Sequence, residues 1–101
     1  MFFKKNIKYT KTITAKYTGT TMDLRKGYFY INCEYLDENY KYKFISEPLA
    51  IDPQDYIKKH NIKTFEVQLA EKNGETNFDK YRINVDEILE YLESSDDSLY
   101  E

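Results

Sequence analysis

The segment Tyr28-Phe29-Tyr30-Ile31-Asn32-Cys33-Glu34-Tyr35, followed closely by Tyr40-Lys41-Tyr42-Lys43-Phe44, decides the fold of this chain. Residues 28–44 contain seven aromatic side chains in seventeen positions. Apolar and polar residues alternate in both runs, which is the side-chain period of a β-strand. The pattern predicts a strand over residues 28–36, a strand over 40–46 and a hairpin between them.

Separation of this hairpin by residue parity predicts one core face and one outer face. The predicted core residues are Phe29, Ile31, Cys33, Tyr35, Tyr40, Tyr42 and Phe44. The outer face receives Tyr28, Tyr30, Asn32 and Glu34 from the first strand and Lys41 and Lys43 from the second. A register that pairs Tyr35 with Tyr40 also places Glu34 opposite Lys41. A register shifted by two residues keeps the same faces, so both registers remain open.

Three further strands and two helices follow from the remaining patterns. Strands are predicted over residues 6–18, 62–70 and 80–85, and helices over about 53–60 and 87–93. Asp52 and Asp86 are the predicted N-terminal caps of the two helices. Ile7 belongs to the apolar face of the first strand. Lys11 interrupts that face and marks either a bulge or the point where the strand leaves the core. Residues 19–27 are predicted to connect the first two strands.

The predicted fold class is mainly β (α+β), with about five antiparallel strands, one short helix and a C-terminal helix. A partly open barrel is favoured over a two-layer arrangement of sheet and helix. The length of 101 residues suits one domain. We expect this domain to span residues 1–93, with residues 94–101 forming an acidic disordered tail.

Charge is distributed unevenly along the chain, although the net charge is only −3. Residues 1–63 hold twelve basic and seven acidic side chains, whereas residues 64–101 hold three basic and eleven acidic ones. Such asymmetry governs solubility and the steering of partners rather than a specific site. The isoelectric point near 5.2 is unlike that of a typical nucleic-acid-binding domain.

The sequence favours an intracellular chain without a membrane span. Cys33 is the only cysteine, so no intrachain disulfide can form. No stretch approaches the roughly 20 apolar residues of a transmembrane helix. Lys4 and Lys5 follow Met1-Phe2-Phe3 directly, so the apolar segment of a secretory signal is missing. We therefore expect a cytoplasmic location.

No catalytic constellation can be recognised in the sequence. Cys33 is predicted to lie in the core, where a thiol serves as packing, and His60 is the only histidine. Clustered metal ligands and a glycine-rich phosphate loop are missing. Carboxylate pairs of a hydrolase cannot be identified from their spacing, so a hydrolase remains the last alternative. We expect a protein that is not an enzyme and needs no cofactor or metal.

The predicted function is a non-catalytic protein-interaction module with another protein as its partner. Outward tyrosines combine contact area with a hydrogen-bonding tip and are enriched at interfaces. The candidate binding surface consists of Tyr28, Tyr30, Lys41, Lys43 and Lys16. Because aromatic platforms flanked by lysines also bind single strands, the alternative is a single-stranded nucleic-acid-binding small β-barrel. In a third interpretation, the second helix or a loop covers Tyr28 and Tyr30.

The order of elements resembles a bacterial family of uncharacterised small β domains that are often found beside membrane-spanning helices. The resemblance rests on Thr14-Ala15-Lys16-Tyr17 leading to Gly19, on residues 28–35, on Phe44-Ile45-Ser46-Glu47-Pro48-Leu49 and on Tyr81-Arg82-Ile83-Asn84-Val85. It covers roughly residues 12–86. The resemblance implies a β-barrel or β-sandwich of bacterial origin and leaves the activity open. This chain lacks the membrane helices of the family.

Overall fold

Five strands and two helices form the part of the chain that the structure describes. The structure is a computed structural model that describes the backbone of residues 8–98 and the side chains of residues 8–92. The strands are β1 (Lys11–Asp23), β2 (Tyr28–Asp37), β3 (Tyr40–Ile45), β4 (Thr64–Lys72) and β5 (Glu75–Ile83), and the helices are α1 (Gln54–Lys59) and α2 (Asp86–Ser98). The predicted mainly β fold with a short helix and a C-terminal helix is confirmed.

The five strands form one antiparallel sheet in the order β3-β2-β1-β4-β5. The central strand β1 joins two hairpins. Its first half pairs with β4, from Lys11 opposite Leu69 to Lys16 opposite Thr64. Its second half pairs with β2, up to Asp23 opposite Tyr28. Because the two partners are offset along β1, the sheet curls into a half-barrel.

A β-bulge makes β1 longer than the sequence predicts. Tyr17 pairs with Cys33 and Gly19 with the next residue of β2, so Thr18 is the extra residue. The bulge reverses the parity of the faces, and the strand continues to Asp23 where a connection was predicted. Lys11 begins the strand and pairs regularly, so the bulge lies at Thr18 instead. The predicted strand start at residue 6 and the predicted core residue Ile7 lie outside the described residues.

The β2–β3 hairpin adopts the register shifted by two residues that the sequence left open. Tyr35 pairs with Tyr42 and Glu34 pairs with Lys43. The reason is a two-residue turn at residues 38–39, which brings Asp37 opposite Tyr40. Tyr40 therefore lies at the end of the hairpin, beyond the core, and is 62% exposed. Its predicted place in the core is wrong.

The core lies on the inner face of the curled sheet. The strand residues of the buried cluster are Ile13, Ala15, Ile31, Cys33, Phe44, Phe65, Val67, Leu69 and Ile83. Helix α1 contributes Tyr56 and Ile57 to the same cluster, and α2 contributes Ile88. Both helices therefore pack on the inner side of the sheet.

At both helix starts, a side chain two residues before the first helical residue accepts the backbone N–H of that residue. The Asp52 carboxylate accepts from the N–H of Gln54 at 2.9 Å, but Pro53 holds the N-cap position of α1, so the predicted capping role of Asp52 is wrong by one residue. At α2 the Asn84 side-chain oxygen accepts from the backbone N–H of Asp86 at 3.1 Å. The Asp86 carboxylate instead pairs with Arg82 at 2.8 Å. The predicted capping role of Asp86 is therefore wrong.

Helix α2 is longer than predicted, because it continues to Ser98 instead of ending near residue 93. The backbone of residues 94–98 is helical where the sequence predicts a disordered tail. The predicted tail at residues 99–101 lies outside the described residues. The assignment of residues 94–101 to a tail beyond the domain stays a prediction.

The two edge strands, β3 and β5, meet through side chains. Leu69 pairs with Tyr81 whereas Ala70 pairs with Asn77, so residues 78–80 bulge out of β5. The Phe78 ring stacks on the Tyr42 ring with centroids 3.8 Å apart and an interplanar angle of 9°. Alongside, Phe44 contacts Tyr81 edge-on at 4.7 Å. Tyr42, Phe44, Phe78 and Tyr81 thus join the two edge strands through aromatic contacts.

Candidate interaction surface

The outer face of β1, β2 and β3 is the sheet surface opposite the core. Ile57 of α1 and Ile88 of α2 belong to the inner cluster, so both helices lie on the other side of the sheet. Within the described part of the chain, neither helix covers Tyr28 or Tyr30. The interpretation that places these two rings beneath the second helix is not what the structure shows.

Tyr28 and Tyr30 lie side by side on the first half of β2. Tyr28 is opposite Asp23 and is 38% exposed, while Tyr30 is opposite Thr21 and is half-buried. The Asn32 side-chain amide, two residues further along the same face, donates to the Thr21 hydroxyl at 3.1 Å. These contacts join β2 to the part of β1 that follows the bulge. Both tyrosines therefore lie beside this last part of β1.

The three candidate lysines gather around one acid on the second half of β2. Lys16 and Lys43 lie on either side of Glu34 in register, on β1 and β3 respectively. Lys41 Nζ is 3.9 Å from Glu34 Oε2. An exposed pair of this length contributes about 0–1 kcal/mol, so it orients the side chains more than it stabilises the fold. One carboxylate among three ammonium groups leaves this end of the outer face positively charged.

The five candidates thus share one face but form two groups. From Tyr30 to Glu34 the strand advances four residues, or about 13 Å at roughly 3.3 Å per residue. A groove of about 470 Å³ lies between the groups and is lined in part by Gly19, Thr21, Asn32 and Lys43. An added Cβ at Gly19 would meet nothing within 4 Å, so the groove is open at the bulge.

Two apolar residues of this face were not among the sequence candidates. Leu36, opposite Lys41, is 75% exposed, and Ile45, opposite Asn32, is exposed as well. Strand parity predicts an outward position for both. Both residues lie within the predicted strands 28–36 and 40–46, but the prediction of the outer face names only the tyrosines and the polar side chains.

Cys33 and His60 lie apart in the fold. Cys33 is buried on the inner face of β2, and burial raises the pKa of its thiol to about 12. His60 is exposed at the end of α1, where its ring lies 4.3 Å from that of Tyr56. No hydrogen bond joins the two residues in the described chain. Over the same residues, no group of His, Cys, Asp and Glu is arranged to hold a metal ion.

Cys33 is expected to resist thiol reagents in the folded protein. At pH 8 almost none of a thiol with a pKa of about 12 is ionised, and burial also denies the reagent access. Reaction with a chromogenic disulfide should therefore be slow in buffer and rapid in urea. The pKa of the thiol is about 9 in the unfolded chain and about 12 in the folded one. The free energy of unfolding should therefore decrease as the pH rises from about 9 to about 12. Rapid labelling of the native chain would contradict the buried position.

The described residues include no helix that is both long enough and apolar enough to cross a bilayer. Comparison of the chain with protein families, with curated proteins and with solved structures finds no match.

Proposed function

We propose that this chain is a non-catalytic protein-interaction module whose partner binds the outer face of β1, β2 and β3. One observation carries the proposal: Tyr28, Tyr30, Leu36 and Ile45 lie on a sheet face that neither helix covers in the described chain. A lone exposed apolar residue on a surface needs no explanation, but several on one face are typical of an interaction site. Tyrosine is also enriched at interfaces.

The size of this face suggests a modest interface. Three strands about 4.8 Å apart and about ten residues long cover roughly 14 by 33 Å, or about 460 Å² in projection. A standard interface buries about 800 Å² on each partner. The partner must therefore also contact neighbouring segments, or the complex is small and transient. Either case requires Tyr28 and Tyr30 to supply much of the affinity.

Charge on the same face favours an acidic partner surface. Lys16, Lys41 and Lys43 surround Glu34 at one end of the face, and Asp23 lies opposite Tyr28 at the other end. Lysines at the edge of an interface mainly raise the association rate through long-range attraction. The association rate should therefore fall as salt shortens the Debye length, which is about 10 Å at 0.1 M.

The test is capture of a partner by immobilised protein from a lysate of the source organism. We expect the wild-type chain to retain one protein in near-stoichiometric amount. A double variant, Tyr28→Ala with Tyr30→Ala, should lower the affinity for the partner about thirtyfold, since a loss of about 1 kcal/mol at each tyrosine amounts to about 2 kcal/mol.

The matched control is Tyr91→Ala, because Tyr91 of α2 is 37% exposed, close to the 38% of Tyr28. This control should retain the partner at the wild-type level. Equal retention by all three proteins, or no stoichiometric partner at all, would contradict the proposal.

Single-stranded nucleic-acid binding is the second candidate, favoured by the presence of Tyr28, Tyr30 and the lysines on one uncovered face. Bases would stack on the rings while the lysines contact the backbone. A labelled oligothymidylate tests this at low salt. Binding that weakens with salt and with Tyr30→Ala would support it, and the lack of binding at low salt would exclude it.

A further inference from the structure

The edge of β3 exposes backbone groups that do not pair with β2. The backbone N–H of Ser46 donates to the Ile31 carbonyl at 2.8 Å, whereas that of Ile45 donates to the Tyr81 hydroxyl at 3.0 Å. Alternation along an antiparallel strand then turns the N–H and C=O groups of Lys43 and Lys41 away from β2 as well. No strand among the described residues pairs with β3 on this side.

A groove of about 500 Å³ lies along the same edge. It is lined by Tyr40, Lys41, Tyr42 and Lys43 of β3 and by Phe78 and Asp79 of the β5 bulge. The stacked rings of Tyr42 and Phe78 line it, and the Tyr40 ring, 4.6 Å from that of Tyr42, continues the aromatic surface toward the hairpin end. At the other end Tyr81 already occupies the N–H of Ile45.

We infer that this groove binds an extended, acidic peptide segment of the partner protein as an added strand on β3. The backbone of the segment pairs with Lys41 and Lys43, one apolar side chain lies on Tyr40, Tyr42 and Phe78, and its carboxylates face the two lysines. Addition of a strand to a sheet edge is an established mode of peptide recognition. The inference rests on the proposed protein-binding function and names the part of the partner that is bound.

Charge selects an acidic strand over a second copy of this chain. A strand added to β3 places its side chains about 4.5–5.5 Å from Lys41 and Lys43, where carboxylates attract and ammonium groups repel. Antiparallel pairing of β3 with another β3 would bring these lysines together, and lysines on an edge strand are a common protection against such pairing. Asp79 is the only acid that lines the groove.

The probe is a synthetic heptapeptide in which aspartates alternate with valine, phenylalanine and valine. Titrated into the ¹⁵N-labelled full chain at low salt, it should cause its largest amide shifts at Lys41 and Lys43 and slow their hydrogen exchange. A matched peptide with lysine in place of aspartate should bind about fivefold more weakly, from the loss of two exposed ion pairs. A version N-methylated on its pairing edge should not bind, because it cannot donate to β3.

Variants separate this inference from the proposed function. Tyr40→Ala removes an exposed ring of β3 and should weaken peptide binding about tenfold. Tyr28→Ala, at the far end of the neighbouring strand β2, should leave peptide binding unchanged. Equal binding of the N-methylated peptide, or no shift at Lys41 and Lys43 at millimolar peptide, would overturn the inference. Concentration-dependent shifts there without peptide would also overturn it, by showing a second copy. Partner capture that still depends on Tyr28 and Tyr30 would then leave the proposed function standing.

Discussion

Replacement of Leu69 by alanine is expected to lower the free energy of unfolding by about 3 kcal/mol. Leu69 lies on the inner face of β4, is 0% exposed, and has Lys11 and Tyr81 as its neighbours across the sheet. Truncation removes apolar contacts and leaves a cavity that a curled sheet cannot readily fill. Because a domain of this size is stable by only about 5–15 kcal/mol, urea unfolding followed by circular dichroism will resolve the loss.

Leu36→Ala is the matched control, since it makes the same chemical change on the outer face. Leu36 is 75% exposed, so the free energy of unfolding should change by no more than about 0.5 kcal/mol. The same variant should weaken partner retention, because Leu36 lies on the proposed interface. Similar destabilisation by the two variants would mean that the assignment of inner and outer faces is wrong.

Tyr42→Ala and Phe78→Ala are expected to be non-additive, with a coupling free energy of about 1 kcal/mol. Their rings lie parallel with centroids 3.8 Å apart and connect strands that share no backbone ladder in the described sheet. Phe78→Ala alone should cost about 2 kcal/mol, less than a fully buried phenylalanine, because the side chain is only half-buried. Urea unfolding of the wild-type protein, the two single variants and the double variant completes a double-mutant cycle, which gives this coupling free energy.

Tyr42→Ala combined with Phe65→Ala provides the control cycle. Phe65 is a buried phenylalanine whose aromatic contact is Tyr17, 5.9 Å away between ring centroids. These two effects should add within about 0.5 kcal/mol. Additive effects for Tyr42 and Phe78 as well would show that the stacked rings do not hold the two edges together.

The faces of the sheet could be predicted from the sequence, because the side-chain period does not depend on register. Phe29, Ile31, Cys33 and Phe44 keep their inward positions in either register of the hairpin. The exception, Tyr40, has the correct parity but lies beyond the end of the core. Position along a strand depends on turn length, and the sequence did not reveal that residues 38–39 alone form the turn.

The bulges were beyond this kind of sequence reasoning. Odd-numbered residues such as Ile13 face inward before the bulge at Thr18. After the bulge the even-numbered residues Thr20 and Met22 face inward instead. The strand segment before Phe78 was missed because residues 75–77 are all polar. The position of Phe78 depends on the bulge at residues 78–80, and this bulge exists only because β5 pairs with β4 on either side of it.

The candidate surface was predictable as a set of outward side chains but not as an arrangement. Parity placed Tyr28, Tyr30, Lys41 and Lys43 outward, and the structure places them on one face. Their division into a tyrosine group and a lysine group follows from the pairing of β1 with β2, a contact between distant parts of the chain. The side of the sheet on which the helices pack also depends on such contacts.

Hydrogen exchange of the chain with and without its captured partner, read by mass spectrometry, tests the central claim most directly. The proposal predicts slowed exchange over residues 28–45, which comprise β2, β3 and their turn, with little change in α1 and in residues 86–92 of α2. Slowed exchange confined to the two helices, with β2 and β3 unchanged, would contradict the assignment of the outer face as the interaction surface.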